Sequence, residues 1–405
     1  MLSRYIYWSG KALLMTLVAG VCLFWLIGQN AALAASPLEE TIEKIFFTKV
    51  PVANLDPIII EALSKVRMEL PADMQDLAIK CWKKQVCETG HGDLIVGIAD
   101  GFGDNVWRQF SHMEIILQSL AYPEIKKIIY TNAHGKLEDA IANMRGLIVQ
   151  DVDIIVGYFD FGAAMFPVME EAIGRGIAVV PYTGGMIGGK AGKDYTTQVN
   201  ADLSNLGAEH ANLTIRTLGE KGTAVLLTGT PGNPQGEAWH SAAEKVFAKY
   251  PGWRIVKADT YWTQQGAFKA MSGLLAAEKE IDIIHYDYAN ATRGVVRAYE
   301  QAGKQLPMIA TWTADNGLFS DWERLKPTNP NFRLFFTTGL NWNSRVALTA
   351  AINKKKGKTI PGKINFAVPF VEIKKGVYDP SKPDEFGGSE LVPPGVIKRM
   401  FPIKK

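Results

Sequence analysis

The chain is organised by a regular alternation of short apolar runs and helix-like segments, which begins at Asp93. In the first helix-like segment, Val106, Phe110 and Met113 open a series of apolar residues at steps of three and four, which forms one helical face. The strand-like runs begin at residues 94, 126, 152 and 177, and again at 222, 253, 281, 306 and 332. Nearly continuous apolar strands between amphipathic helices are typical of a parallel sheet covered on both faces. The pattern therefore predicts an α/β fold.

The alternation pauses once, at the segment TQVNAD (residues 197–202), and then starts again with a second set of similar size. Two consecutive α/β units of this kind predict two lobes with a cleft between them. Residues 376–405 follow a different pattern, rich in proline and glycine, which is typical of extended chain on a surface. We expect this last segment to form a C-terminal strap.

The first 35 residues have the three parts of a secretory signal peptide. Arg4 and Lys11 precede an apolar run from 12 to 28, and the small-residue segment Ala32-Leu33-Ala34 follows it. The alternative is a retained membrane anchor, since the run approaches the ~20 residues of a membrane span. Removal of residues 1–35 leaves 42 basic and 41 acidic side chains, so charge gives no reason to expect binding to nucleic acid.

Residues 36–92 differ from the rest of the chain because they contain no strand-like pattern. Two helix-like segments, 57–69 and 72–86, predict a helical extension packed on the main body. Cys81 and Cys87 are the only cysteines after residue 35, and in an oxidising compartment such a pair predicts a disulfide. Six residues of helix would separate their Cα atoms by about 9 Å, beyond the ~7 Å that a disulfide spans. The second helix is therefore expected to end between the two cysteines.

In sheets of this type, ligands bind beyond the carboxyl ends of the strands, so the residues that end each strand are the candidate site. Five of the eight tryptophans after residue 35 lie at such positions: Trp107, Trp239, Trp262, Trp312 and Trp342. Indole rings stack on sugars and offer one N–H donor, although core packing is the alternative for each of them. Acidic residues also follow the strands, at Asp104, Asp160, Glu237 and Asp287. They are either acceptors for a solute or helix N-caps, and Arg108 either donates to solute or pairs with an acid.

The ordered set of segments resembles the periplasmic solute-binding proteins of ABC transporters, in the branch that contains the ribose-binding proteins. The resemblance rests on DNVWRQF after the first strand, LIVQDVDIIVGYFD, AIGRGIAVVPY, GTPGNPQGEAWHSAAEKVFAKYPGW, GLLAAEKEIDIIHYDYANATRGVVRAYEQAGK and FAVPFVEIKKGVYD. It covers residues 93 to 375. It implies two doubly wound parallel-sheet lobes joined by a three-stranded hinge, here with an N-terminal helical extension.

The resemblance also implies the division of the chain and its partners. We expect lobe one to contain residues 93–201 and 341–365, and lobe two residues 202–340 and 366–375. The expected partners are one small solute and the permease of an ABC transporter in the inner membrane. The protein is expected to be a periplasmic monomer that binds no metal or other cofactor.

In the family, an asparagine and an aromatic residue after the first strand contact the solute, and Asn105 and Trp107 match them. Three positions depart from the ribose-binding pattern. Thr183-Gly184 replaces an Asp-Arg pair, Glu237 replaces an arginine, and Trp312 stands near an expected aspartate. These changes argue against a pentose. The complete expected site is Asp104, Asn105, Trp107, Arg108, Asp160, Thr183, Glu237, Trp239, Trp262, Asp287, Trp312, Asn341 and Trp342.

The acidic character of this set predicts a neutral hydroxylated solute, of sugar or polyol type, and exclusion of anionic solutes. The alternatives are a cationic or aromatic small molecule held among the indole rings, and a sensor that reports solute to a membrane receptor. Catalysis is not expected, because the sequence has no nucleophile elbow, no zinc-protease motif and no Walker motif.

Overall fold

The computed structural model describes residues 37–184, 186, 188–278 and 280–402. The expected signal peptide, residues 1–35, lies outside this range. In the described residues no helix combines the length and the apolar character that crossing a membrane requires.

The secondary structure follows the alternation seen in the sequence. The strands are β1 (Val86–Glu88), β2 (Leu94–Asp100), β3 (Ile125–Asn132), β4 (Ile154–Tyr158), β5 (Ala178–Pro181), β6 (Gln198–Ala201), β7 (Lys221–Thr228), β8 (Gly252–Asp259), β9 (Ile283–Tyr286), β10 (Met308–Thr311), β11 (Leu334–Phe336), β12 (Lys363–Phe366) and β13 (Val371–Glu372). The helices are α1 (Pro37–Phe46), α2 (Pro57–Ser64), α3 (Ala72–Lys83), α4 (Val106–Leu120), α5 (Leu137–Val149), α6 (Phe166–Gly174), α7 (Leu203–Leu218), α8 (Pro234–Phe247), α9 (Gln264–Ala277), α10 (Ala289–Ala302), α11 (Asn316–Leu325), α12 (Asn343–Lys355) and α13 (Pro394–Met400).

Eleven of the strands form two separate sheets, one in each lobe, and β6 and β12 form a two-stranded pair apart from them. The lobe-one sheet has the order β1-β3-β2-β4-β5, and the lobe-two sheet has the order β13-β11-β10-β9-β7-β8. The interior strands of both sheets are parallel, while β1 and β13 join their sheet edges in antiparallel pairing. The structure therefore confirms the α/β fold with two mainly parallel sheets.

Both faces of each sheet are covered by helices, which explains why the strands read as continuous apolar runs. On β7, Ala224 and Leu226 pack into the apolar cluster that contains α7 and α8. Val225 and Leu227 point the other way, into the cluster formed with α9, α10 and α11. Because successive strand residues alternate between faces, a strand that is buried on both sides has no polar face to show.

Three segments connect the lobes, as expected, but they do not form one regular sheet. β6 and β12 pair in parallel, with Gln198 opposite Lys363. The third segment, residues 337–342, crosses as irregular chain. Its Gly339 N–H donates to Ser389 Oγ at 2.8 Å, and its carbonyl accepts from the Trp107 indole at 2.5 Å. Since both backbone groups are already bonded, Gly339 has none left for a sheet ladder.

The N-terminal extension contains three helices and one strand. Helix α3 ends at Lys83, the following Lys84 is extended, and the Cys81–Cys87 disulfide joins Cα atoms 5.0 Å apart. The prediction that the helix ends between the cysteines is confirmed. The extension is not wholly helical, however, because Val86–Glu88 forms β1 on the edge of the lobe-one sheet. Three residues are too few to show a strand periodicity in the sequence.

The C-terminal segment is more than a surface strap. It contacts α11 in lobe two through Asp379 and Asp384 and then reaches lobe one, where Leu391 bonds Glu114 and Arg345. It ends in α13, which packs against α3 of the extension. The chain thus passes between the lobes a fourth time after the three hinge segments.

Candidate functional site

A cavity lies between the lobes, at the carboxyl ends of the strands of both sheets. The residues that line it are Asn105, Trp107, Arg108, Tyr158, Thr183, Gln235, Trp262, Asp287, Tyr288, Trp312, Thr313 and Leu340. The lining combines aromatic walls with a small number of polar groups, which is the usual composition of a solute site.

Arg108 is held by two acids, so its charge is balanced within the protein. Its Nη1 donates to Asp100 and its Nη2 to Asp160, both at 2.6 Å, and the guanidinium lies 3.5 Å from the centre of the Tyr158 ring. Burial raises the pKa of Asp100 to about 6 and also raises the pKa of Asp160, while Arg108 opposes both shifts. Of the two roles considered for Arg108, the structure supports pairing with acids. The three groups together carry a formal charge of −1 when both acids are ionised.

Asp287 accepts hydrogen bonds from neutral donors only. Thr228 Oγ1 donates to it at 2.5 Å, the Trp262 indole N–H at 2.7 Å and the Trp239 indole N–H at 3.3 Å. Burial raises its pKa to about 6, and these three donors oppose the shift. No cation forms an ion pair with Asp287 within the described residues. It is therefore a buried acceptor that a hydroxyl or ammonium group of a solute would satisfy.

The aromatic walls come from both lobes and are fixed in position. The Trp107 indole donates to Gly339 O at 2.5 Å, and Asn341 Nδ2 donates to the Trp107 carbonyl at 2.8 Å. On the lobe-two side, the indole N–H of Trp312 is buried and finds no hydrogen-bond partner in the described residues. Among the described residues that line the cavity, Trp312 thus has an unpartnered donor, and Asp287 has acceptor oxygens without a cation.

A direct hydrogen bond joins the two lobes across the cavity. Tyr158, the last residue of β4, donates its hydroxyl to Gln235 Oε1 of α8 at 3.0 Å. Both residues are buried. The contact between the lobes at the cavity is therefore made by side chains of the protein itself.

The structure brings seven of the expected residues to the cavity lining: Asn105, Trp107, Arg108, Thr183, Trp262, Asp287 and Trp312. Three others lie directly behind this layer. Asp160 pairs with Arg108, Asn341 holds the Trp107 backbone, and Trp239 supports Asp287 from below.

Three expected residues lie elsewhere. Asp104 is on the surface and pairs with His134 at 2.9 Å. Trp342 is buried at the hinge against Phe46 and donates to Thr338 Oγ1. Glu237 is exposed and does not line the cavity, whereas Gln235 does. An α-helix turns by about 100° per residue, so Gln235 and Glu237 are separated by about 200°. Their side chains therefore leave α8 on opposite sides.

Five further residues line the cavity that were not expected from the sequence: Tyr158, Gln235, Tyr288, Thr313 and Leu340. Tyr158 ends β4, and Tyr288 and Thr313 each follow a residue already chosen after β9 and β10. Because these three residues lie at strand ends, the rule that selected Asp287 and Trp312 would have selected them too. Leu340 follows no strand directly, and no sequence pattern indicated it.

Three cavity residues that are not glycine adopt left-handed backbone conformations: Thr183 (φ 43°), Trp262 (φ 52°) and Leu340 (φ 63°). Such conformations are uncommon for residues with a Cβ, and they persist where surrounding contacts fix them. For Trp262, one such contact is Gly229 after β7, since a Cβ on Gly229 would overlap the indole ring.

We therefore expect Gly229→Ala to displace Trp262 and to lower the free energy of unfolding by about 1–3 kcal/mol, the usual effect of overpacking. Urea unfolding measures this loss, and near-ultraviolet circular dichroism reports the moved indole. Gly273→Ala is the matched control, because no atom lies within 4 Å of its added Cβ. Equal stability of the two variants would show that Trp262 does not depend on Gly229.

Close approach also explains the glycines of the loop after β2. A Cβ on Gly101 would overlap the carboxylate of Asp160, and a Cβ on Gly103 would overlap the hydroxyl of Tyr130. Neither residue has the positive φ that favours glycine. These glycines make room for neighbouring side chains, and the loop needs no phosphate to account for them.

The raised pKa of Asp287 predicts a pH dependence of stability. Its folded pKa of about 6 lies above the ordinary value of ~3.9, so the folded protein binds more protons between those values. The contribution of Asp287 to the free energy of unfolding should therefore be greatest below about pH 4, and it should be lost as the pH rises through 6. Chemical unfolding between pH 4.5 and 7.5 tests this. Asp287→Asn should fall less steeply with pH than the wild type, and identical slopes would contradict the assignment.

Comparison with known proteins gives the class of this protein. Residues 97–319 match the family described as periplasmic binding protein domain, and the chain belongs to this family. Its members are non-enzymatic solute-binding proteins, and they bind small sugars and work with ABC-transporter permeases. Membership implies a periplasmic or exported location. In the described residues, no group of three or more histidine, cysteine or acidic side chains has the geometry of a metal site.

Individual relatives are distant. The xylitol-binding protein of Mycolicibacterium smegmatis is 22% identical over 195 residues, which are 47% of this chain and 55% of that protein. The match thus spans about half the length of this curated relative.

Two solved structures share the fold. The periplasmic binding protein of the arabinose ABC transporter from Shewanella sp. ANA-3 has a TM-score of 0.62 at 18% identity, over 69% of this chain and 91% of that one. The fructose-binding periplasmic domain of a hybrid two-component system has a TM-score of 0.61 at 20% identity, over 71% and 92%.

Proposed function

We propose that this protein captures a neutral hydroxylated solute of polyol or sugar type between its lobes and delivers it to the permease of an ABC importer in the inner membrane. In this proposal it is a periplasmic monomer, exported by residues 1–35, and it needs no cofactor. Binding closes the lobes because each lobe supplies part of the contacts, so the solute stabilises the closed state.

The observation that carries the proposal is the chemistry around Asp287. In the part of the chain that the structure describes, the cavity lining includes a buried carboxylate without a counter-ion, an indole N–H without a partner, and aromatic side chains from both lobes. Vicinal hydroxyls donate to the first and accept from the second, while the C–H face of a sugar or polyol stacks on indole. The distant similarity to a xylitol-binding protein agrees with a solute of this class.

The same charges disfavour anionic solutes, although Glu237 takes no part. Arg108 is balanced by Asp100 and Asp160, and Asp287 adds a further negative charge when ionised. A carboxylate or phosphate solute would place like charges together in a site that excludes water, which raises the free energy of binding.

A thermal-shift panel tests the proposal. Xylitol, L-arabinose and myo-inositol represent neutral solutes, and gluconate and ribose 5-phosphate represent anionic ones. A ligand at 100 times its dissociation constant adds about 2.7 kcal/mol of stability, a shift of several degrees for a chain of this size. We expect shifts only with neutral compounds. A panel in which only anions raise the melting temperature would contradict the proposed site.

A cationic solute is the second candidate, and Asp287 is the observation that favours it. A quaternary ammonium beside this carboxylate would lie among Trp107, Trp262 and Trp312, where cation–π attraction contributes ~0.5–2 kcal/mol per ring. Choline and glycine betaine are the probes. If choline alone shifts the melting temperature, and Asp287→Asn abolishes that shift, the cationic candidate replaces the polyol.

A further inference from the structure

The C-terminal strap, residues 376–402, reaches the ligand cavity from behind, although it lies outside the matched family region at 97–319. On lobe two, Asp379 N donates to Asn316 Oδ1 and the Asp384 carbonyl accepts from Gly317 N. On lobe one, Leu391 N donates to Glu114 and the Leu391 carbonyl accepts from Arg345. Both ends of the strap are therefore fixed, and the stretch between them, 387–390, lies at the hinge.

Within this stretch, Ser389 contacts the irregular hinge segment. Its hydroxyl is fully buried and accepts the Gly339 N–H at 2.8 Å. The Gly339 carbonyl in turn accepts the indole N–H of Trp107, which lines the cavity. A Cβ on Gly339 would overlap the Ser389 hydroxyl, so the approach requires glycine at this position.

We infer that Ser389 is a positioning residue for the ligand site, and that the strap sets the orientation of the Trp107 indole through Gly339. The inference rests on the proposed function only in that Trp107 faces the solute. Glycine has permissive backbone torsions, so the position of Gly339 depends on its contacts. The bond to Ser389 fixes the peptide plane that carries the Gly339 N–H, and with it the place of the Cα from which the carbonyl projects toward Trp107. No water reaches the buried Ser389 to replace a lost hydroxyl, and the Gly339 N–H would then be left without a partner.

The test follows Trp107 directly. Protein labelled with 5-fluorotryptophan gives fluorine resonances for its tryptophans, and Trp107→Phe identifies the Trp107 resonance by removing it. We expect Ser389→Ala to shift or broaden that resonance in the solute-free protein while the Trp82 and Trp322 resonances stay in place. Ser381→Ala is the matched control, because Ser381 lies in the same strap on the exposed surface and should leave Trp107 unchanged.

A second variant covers the case in which Ser389→Ala does not fold. Ser389→Cys keeps nearly the same volume but replaces the hydroxyl with a weak acceptor, so it should also move the Trp107 resonance. A Trp107 resonance at the wild-type position in the folded variant, whether alanine or cysteine, would overturn the inference.

Affinity for xylitol is the second readout. Loss of one buried hydrogen bond should weaken binding about 2- to 10-fold if xylitol binds the wild type. If xylitol does not bind, that result bears on the proposed solute alone, and the fluorine spectrum still decides the role of Ser389.

Discussion

Replacing Arg108 with leucine should lower the free energy of unfolding by about 3–5 kcal/mol, the usual effect of removing one partner from a buried ion pair. The side chain is 5% exposed, and its loss would leave the buried Asp100 and the mostly buried Asp160, whose side chain is 14% exposed, without their cation. Two like charges would then face each other in a site that excludes water. Urea unfolding at pH 7.5 measures the loss.

Arg324→Leu is the matched control for this prediction. Arg324 also pairs with two acids, Glu300 and Asp321, but its side chain is 51% exposed, so its loss should change stability by less than ~1 kcal/mol. The deficit of Arg108→Leu should also become smaller at pH 5, because Asp100, whose pKa is raised to about 6, then binds a proton and loses its charge. A deficit equal to that of Arg324→Leu would mean that the acids are not held by Arg108.

Trp107→Ala should weaken solute binding by at least ~2 kcal/mol, about 30-fold, which is the scale of a buried aromatic anchor. The indole lines the cavity and is held by Gly339, so its loss removes a stacking face that the backbone has already oriented. Isothermal titration with the compound that gives the largest thermal shift measures the effect.

Trp82→Ala is the control for this second prediction. Trp82 is half-buried like Trp107, but it lies in the N-terminal extension, away from the cavity. There it packs on Phe401 of the C-terminal strap. It should lose stability without losing affinity. If Trp107→Ala keeps wild-type affinity, Trp107 serves packing between the lobes and does not contact the solute.

The strands could be predicted from the sequence because burial on both faces leaves a strong local signal. β7 is an example, since its residues 224–227 enter two different apolar clusters in alternation, and all four are therefore apolar. The strand ends then located the cavity, because parallel strands of one sheet bring their carboxyl ends to the same edge.

The side chains that face the cavity were harder to predict, because a fraction of a helical turn decides whether a side chain points into the cavity or into solvent. Glu237 and Gln235 are two residues apart on α8, and only Gln235 lines the cavity. Trp342 was expected at a strand end like Trp312, but β11 already ends at Phe336, and Trp342 packs at the hinge against Phe46 of the extension. No local pattern contains these contacts, because they join residues that are far apart in the sequence.

The hydrogen bond between Tyr158 and Gln235 has a consequence for the equilibrium between open and closed protein. It joins the lobes directly, and a net contribution of about 1 kcal/mol would multiply the population of the closed form roughly fivefold relative to a protein that lacks this bond. Apparent affinity scales with the fraction of molecules that are already competent to bind. Under the proposed function, this bond lowers the free energy that the solute must supply for closure. It also enlarges the fraction of closed molecules without solute, which would compete with loaded molecules for the permease.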